Sequence, residues 1–195
     1  MMPFCVRSAA LVIAELLRRL RFGGPRGDKA GPVARYPVRV VGSVRRGCAK
    51  AKDLDFLAVV PRCTVVPVLA ASHRKRSLVL RLTTGAAGPR RWSGFAEVAG
   101  AVAGPRLVPV DIFFATAAEL PFALFHFTGP AVYNVRVRAH ALARGWLLNQ
   151  YGLFERNVRA GRRARARVRG SSAIRTEPEI SGFIGIPFKP PNERA

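Results

Sequence analysis

The spacing of apolar positions changes character twice along the chain. From about Ser8 to Leu20 it is helical, with Leu11, Leu17 and Leu20 on one side and Arg18, Arg19 and Arg21 near the polar edge. Ser8 is placed to cap that helix. FGGPRGDKAGP is turn chemistry. The pattern then becomes that of strands. VRVVGS runs into a tight Gly-Ser turn, DLDFLAVVP is a strand stopped by Pro61, and LVLRLTT, WSGFAEVAG and LVPVDIFFA are three more. TVVPVLAASH reads as a short helix between them. Near Ala117 helical spacing returns: AAELPFALFHF is a short helix, and GPAVYNVRVRAHALARG a longer one ended at Gly145. LLNQYGLFERN is a strand or hairpin. IRTEPEISGFIGIP opens on Thr176 with Glu179 three residues on, a capping box. The prediction is an α/β first part, residues 1–116, with a sheet of about five strands, and a mostly helical second part, residues 117–195.

Composition adds a partner to that outline. The chain has 195 residues, 49% hydrophobic and 23% charged, enough for one full domain or two small ones and too apolar for wholesale disorder. Lys and Arg number 33 against 11 Asp and Glu, a formal charge of +22. Such a chain repels itself unless its usual partner is a polyanion, with nucleic acid the first candidate and an anionic membrane surface the second. Cys5, Cys48 and Cys63 are too few and scattered for a disulfide scaffold, and with no CxxC pair a structural zinc site is not expected. Cys48 and Cys63 are read as reduced structural thiols, with a bridge between them the open alternative. No apolar run reaches the ~20 residues of a membrane span. The nearest, Leu107 to Phe127, contains Asp111, Glu119 and two prolines. The basic N-terminus is read as an amphipathic helix rather than a targeting peptide, since Glu15 breaks its apolar run and no A-x-A site follows.

The four aspartates of this basic chain carry its sharpest local signal. In VVGSVRRGCAKAKDLDFLAVVP, Asp53 and Asp55 lie two apart on a predicted strand, so their carboxylates point the same way. Two adjacent carboxylates repel unless a cation neutralises them, and hard oxygen ligands with phosphate nearby suit Mg²⁺. Asp111 is a lone charge inside the apolar strand LVPVDIFFA, costly to bury without a partner such as a metal. Gly42 lets backbone approach a ligand, Ser43 and the turn amides can bind phosphate oxygen, and Arg45 and Arg46 suit phosphate. Each feature alone has a plain alternative: a solvated acidic pair, a structural hydrogen bonder, solvated arginines. Together they point to phosphoryl chemistry, because three of the four aspartates fall in those places.

These residues resemble the palm of the nucleotidyltransferases, and more narrowly the family X DNA polymerases, with a GS-x-RRG turn, a DxD strand and a later lone aspartate. HFTGPAVYNVRVRAHALARGWLLNQYGLF resembles the segment of that family that holds the incoming nucleotide, and RTEPEISGFIGIPFKPPNERA resembles its closing segment. HFTGP, NQYGLF and the short N-terminus are most similar to a reduced, viral form of the family. The resemblance covers Val38 to the end. It implies an α+β fold, a palm of mixed and antiparallel sheet with helices, followed by a small thumb or fingers subdomain of helices and a β-hairpin. It implies template-directed addition of dNTPs to a primer 3′-hydroxyl, filling short gaps in base-excision repair. Two Mg²⁺ ions, with Mn²⁺ able to substitute, would sit on Asp53, Asp55 and Asp111, the catalytic residues. Asp111 would also help accept the hydroxyl proton. Gly42, Ser43, Arg46, His126, Phe127, Gly129 and Asn134 would bind the nucleotide, and Arg138 the template strand. Gly129-Pro130 lies where the family has an unusual cis peptide, and proline lowers the cost of cis to ~0.5–1 kcal/mol.

The chain departs from the pattern at three places. Pro109, two before Asp111, stands where cellular members carry an arginine; Lys52 stands for a common glycine; His126 stands for the usual tyrosine. Only some 35 residues precede the palm, so no lyase domain and no helix-hairpin-helix clamp are expected. DNA grip is then expected from Arg156, Arg159, Arg162, Arg163, Arg165, Arg167 and Arg169, with binding that falls steeply with salt. Of these, Arg162, Arg163, Arg165 and Arg167 are the expected DNA contacts; a flexible tail or a nuclear-localisation run is the alternative. Expected partners are gapped or nicked duplex DNA, dNTPs, a DNA ligase and an AP endonuclease, with no membrane, a monomeric state and an intracellular location. Tyr133 is read as core and His140 as surface or structural. Two rival functions stand beside this one: a nucleotidyltransferase acting on RNA or protein, and a DNA-binding module with a degenerate palm.

Overall fold

The computed structural model describes residues 37–49, 51–60, 73–75, 78–82, 86–87, 90–156 except 101–103, and 166–194. The N-terminal helix, most of the expected helix at 64–73, and Cys5 and Cys63 lie outside them. Seven strands form one sheet: β1 (Val38–Val40), β2 (Leu54–Val59), β3 (His73–Lys75), β4 (Leu78–Leu82), β5 (Ala86–Ala87), β6 (Arg91–Gly100) and β7 (Gly104–Ala115). Their order is β1-β2-β7-β6-β4-β3, with β5 on β6. Among the described strands only β2 and β7 run parallel; the other pairs are antiparallel. The expected five strands gain β3 and β5, both too short to show alternation. His73, expected to end a helix, begins a strand.

Strand β2, between β1 and β7, is buried on nearly its whole length, and its run LDFLAV is apolar apart from Asp55. That is the pattern of a strand covered on both faces. One face holds Leu54, Phe56, Ile112, Phe114 and Trp92. On the other, Leu57 and Ala115 pack with Val41 and Ala123, joined by Phe113, Leu120, Leu124 and Phe127.

That second cover comes from helix α2 (Leu120–Thr128), which follows β7 after a short turn; before it, α1 (Gly42–Arg45) is a single helical turn between β1 and β2. The expected Gly-Ser turn is therefore helical. Pro121 suits the first turn of α2, where no backbone donor is lost. Helix α3 (Ala131–Ala143) and the hairpin β8 (Trp146–Asn149) and β9 (Gly152–Glu155) follow, then α4 (Glu177–Ile184). Gly145 takes φ +76 just past α3, as its sequence position requires.

A second core gathers Phe122, Phe125, Tyr133, Val137, Leu153, Ile180 and Ile184. Each fully buried side chain of this size contributes about 1.5–3 kcal/mol. Helix α2 serves both cores, giving Ala123 to one and Phe122 and Phe125 to the other. Thr176 caps α4 by accepting from the Glu179 amide at 3.4 Å. The Glu179 carboxylate completes the motif one residue early, accepting from the Arg175 amide at 2.7 Å.

Candidate active site

Parallel pairing of β2 and β7 sets Asp55 directly beside Asp111. Both side chains rise from the sheet face that Leu57, Phe113 and Ala115 share with α2. Asp53 precedes the first residue of β2, so it belongs to the bend entering the strand rather than to the strand itself. Burial, then the charges of Asp53 and Asp111, push the Asp55 carboxyl up to about 6, against the pull of Arg91 and Arg46. A carboxylate held that high is an under-neutralised one, and the all-oxygen donor set suits a hard divalent cation. The set is not closed as it stands: among the described residues no three acidic, histidine or cysteine side chains are gathered closely enough to hold a metal ion. Asp111 is turned to Arg91, which donates from Nε to Oδ1 at 3.2 Å and from a terminal nitrogen to Oδ2 at 2.7 Å.

Gly42 sits under this cluster at φ +63, and a Cβ there would overlap the Asp55 carboxylate. Both features demand glycine. Gly42→Ala is expected to lose about 1–3 kcal/mol of stability through backbone strain, which chemical denaturation checks.

The basic turn is fastened to the second core. Arg46 donates to the Thr128 carbonyl, beside the Gly129-Pro130 bond, which is cis. Arg45 bonds Thr128 Oγ1 and, through both terminal nitrogens, the Glu177 carboxylate. Glu177 also faces Arg194 Nη1 at 3.0 Å, and the Arg194 side chain is fully buried. Rings of Phe125, Tyr133 and Phe188 surround that guanidinium at 4.8, 5.2 and 5.7 Å. Ser43 is half-buried in the same turn as Arg46.

His126, Phe127, Asn134 and Arg138 form a second group. Phe127 stacks on Phe113 with centroids 3.9 Å apart, and His126 meets Phe127 edge-on at 4.8 Å. Asn134 donates from Nδ2 to the His126 carbonyl at 2.7 Å. Arg138 lies 2.9 Å from His126 Nδ1. A guanidinium can only donate, so Nδ1 is the acceptor and Nε2 carries the proton. Burial and the Arg138 charge lower the His126 pKa to about 4. The stability gained by keeping this ring neutral is complete above about 6.5 and is lost as pH falls toward 4. NMR titration is expected to place the His126 midpoint near 4 and to raise it in Arg138→Ala; a wild-type midpoint near 6.5 would contradict the geometry. His126, Asn134 and Arg138 share a small cavity with Phe122, Phe125, Leu148 and Asn149. Tyr133 is core, as expected.

Of the arginine run, residues 157–165, with Arg159, Arg162, Arg163 and Arg165, lie outside the described residues. Arg167 donates to the Tyr151 carbonyl at 2.7 Å and lies over the rings of Phe122 and Phe154, so its guanidinium anchors the hairpin. Cys48 is exposed and free. Among the described residues no helix is long and apolar enough to cross a membrane. Sequence reasoning passed over two elements of this site, the Arg91 fork and the buried Glu177–Arg194 pair.

Comparison with known proteins agrees with that architecture. The family model of the DNA polymerase beta thumb matches residues 123–195. Leishmania infantum polymerase beta, solved as a ternary P/T complex, superposes with a TM-score of 0.69 at 19% identity, over 100% of this chain and 76% of that one. The fold is thus that of the beta-type DNA polymerases. Repair DNA polymerase X of African swine fever virus (isolate Pig/Kenya/KEN-50/1950) is 30% identical over 157 residues, 80% of each chain. Rat DNA polymerase lambda is 27% identical over 160 residues, 78% of this chain and 28% of its own length. The chain belongs to the X family of DNA polymerases, and polymerases of this kind use divalent metal ions.

Proposed function

We propose that this chain is a gap-filling repair polymerase that adds dNTPs to a primer 3′-hydroxyl in gapped or nicked duplex DNA. The observation that carries the reading is the register of Asp55 against Asp111 across the one parallel strand pair, beside an Asp55 carboxyl held near 6. Residues 1–116 act as the palm and 117–195 as the nucleotide- and template-binding subdomain. Asp53 and Asp55 would hold two Mg²⁺ or Mn²⁺ ions, with Asp111 a further ligand to the catalytic one, and the bound metal would supply charge neutralisation for phosphoryl transfer.

The remaining work belongs to the chain itself. Asp111 helps accept the proton of the 3′-hydroxyl, whose oxygen attacks the α-phosphorus in line as pyrophosphate leaves. Ser43, the amides around Gly42 and Arg46 receive the β- and γ-phosphates. His126 and Phe127 line the sugar, with Gly129 at the turn beneath, and Asn134 faces the base. Arg138 contacts the template, and Arg162, Arg163 and Arg165 meet DNA phosphates from a run anchored at its inner end by Arg167. Most of the acceleration is positioning and charge stabilisation. The products call for a DNA ligase, and the gaps for an AP endonuclease, as functional neighbours inside a cell.

Single-nucleotide incorporation on a gapped duplex with Mg²⁺, with dNTPs set against NTPs and wild type beside Asp53→Asn, tests the reading. Incorporation of dNTPs by the wild type, lost in the variant, is expected. Preference for NTPs on an RNA primer would point to the rival nucleotidyltransferase.

A further inference from the structure

Asp55 and Asp111 lie side by side on one sheet face, and one guanidinium engages Asp111. Arg91 opens β6, and the register sets it across from Phe113, two residues beyond Asp111. Alternation puts Arg91 and Ser93 on the Asp111 face, while Trp92 between them is buried on the other. From there the guanidinium reaches diagonally to Asp111 and engages both carboxylate oxygens, at 3.2 and 2.7 Å. Its flat face lies over the Phe113 ring at 5.5 Å, and Phe113 is itself stacked on Phe127. The fork is therefore held between a carboxylate and a supported aromatic face, a geometry lysine cannot copy. Pro109, the neighbour of Asp111 on its own strand face, has no side-chain donor, so the counter-charge comes from the next strand.

We infer that Arg91 is a positioning residue for Asp111: it latches the third carboxylate in one orientation and occupies the oxygens that a divalent cation must take. The inference rests on the reading of Asp53, Asp55 and Asp111 as the metal-holding triad. Its consequence is a paired, opposite effect. Removing the latch frees Asp111 for the cation and leaves the cluster more negative, so the cation binds more tightly. The same removal lets Asp111 wander, so fewer encounters find it aligned and turnover slows. A residue serving only the fold would do neither. Arg91 is more than half exposed, and an ion pair of that kind contributes little to stability.

The test uses the whole 195-residue chain. Free Mn²⁺ is followed by electron paramagnetic resonance during titration of wild type, Arg91→Leu, Arg91→Lys, Asp111→Asn and the Arg91→Leu/Asp111→Asn double variant. Steady-state incorporation and thermal unfolding are run on the same samples. Arg91→Leu is expected to bind Mn²⁺ about two- to fivefold more tightly, in line with the size of a partly exposed ion pair. Its kcat is expected to fall about tenfold with the dNTP KM little changed, and its melting temperature to stay near that of wild type. Arg91→Lys is expected to fall between. In the Asp111→Asn background, Arg91→Leu is expected to raise Mn²⁺ affinity much less than in the wild type, because only its weaker pull on the remaining carboxylates is lost. Unchanged or weaker Mn²⁺ binding by Arg91→Leu, with Asp111→Asn inactive, overturns the latch and leaves the triad standing. Full incorporation by Asp111→Asn overturns the triad and the latch with it.

Discussion

Glu177→Leu is expected to destabilise the folded chain by about 3–5 kcal/mol, the cost of stranding a buried charge. The charge is Arg194, whose side chain is fully enclosed and whose Nη1 lies 3.0 Å from Glu177 Oε1. Its Nε donates to the Lys189 carbonyl at 2.9 Å, and aromatic rings cover much of the rest. Those rings stabilise a cation, but they cannot replace a carboxylate. The loss reaches further, because Arg45 also rests on Glu177 and fastens the turn under the aspartates to α4. Denaturant unfolding, with midpoint and slope both fitted, checks the figure. The double variant Glu177→Leu/Arg194→Met is expected to recover much of the loss, since an apolar replacement of the whole pair removes the stranded charge. A single-variant loss below about 1 kcal/mol would mean that Arg194 reaches water.

Asp55→Asn is expected to separate stability from activity. The Asp55 carboxyl titrates near 6 in the folded chain, above its ordinary 3.8, because of burial and then Asp53 and Asp111. Between those two values the folded state keeps a proton that the unfolded state has released. Stability of the cation-free chain therefore falls as pH rises through that window and stays lower above it. Asparagine has no charge to hold, so cation-free Asp55→Asn is expected to melt higher than wild type at pH 7. The gap closes toward pH 4. Incorporation is expected to fall by about three orders of magnitude or more, since losing a metal ligand forfeits several kcal/mol of charge stabilisation. Melting curves without metal at pH 4.5 and 7, beside incorporation rates with Mg²⁺, give both readouts. A variant that melts lower than wild type at pH 7 would show that Asp55 is satisfied without a cation.

What the chain reveals before it folds depends on the range of the interaction. The DxD pair, the glycine before it and the Thr176 cap are legible because alternation, φ preference and capping act within a few residues. The Asp111 placement was legible for another local reason, a charge in an otherwise apolar strand. Strand register is not local. Nothing in PRRWSG marks Arg91 rather than Arg90 as the partner of Asp111; that choice needs the β6–β7 pairing and the burial of Trp92. Glu177 reads locally as a first-turn acid that favours a helix N-terminus. Its larger role depends on Arg45, 132 positions away, and on Arg194. Arg167 belongs to an arginine run that reads as DNA-contacting, yet the neighbouring rings and a carbonyl fix its direction. The short strands β3 and β5 escape pattern reading because two or three residues cannot show a period.

The most direct test of the central claim compares wild type with Asp111→Asn on a single-nucleotide gapped duplex, measuring incorporation and equilibrium DNA binding under the same salt. The account predicts that the wild type extends the primer by one nucleotide with Mg²⁺, and that the variant binds the gapped duplex about as well but does not extend it. Extension by Asp111→Asn at a rate near that of wild type would contradict it.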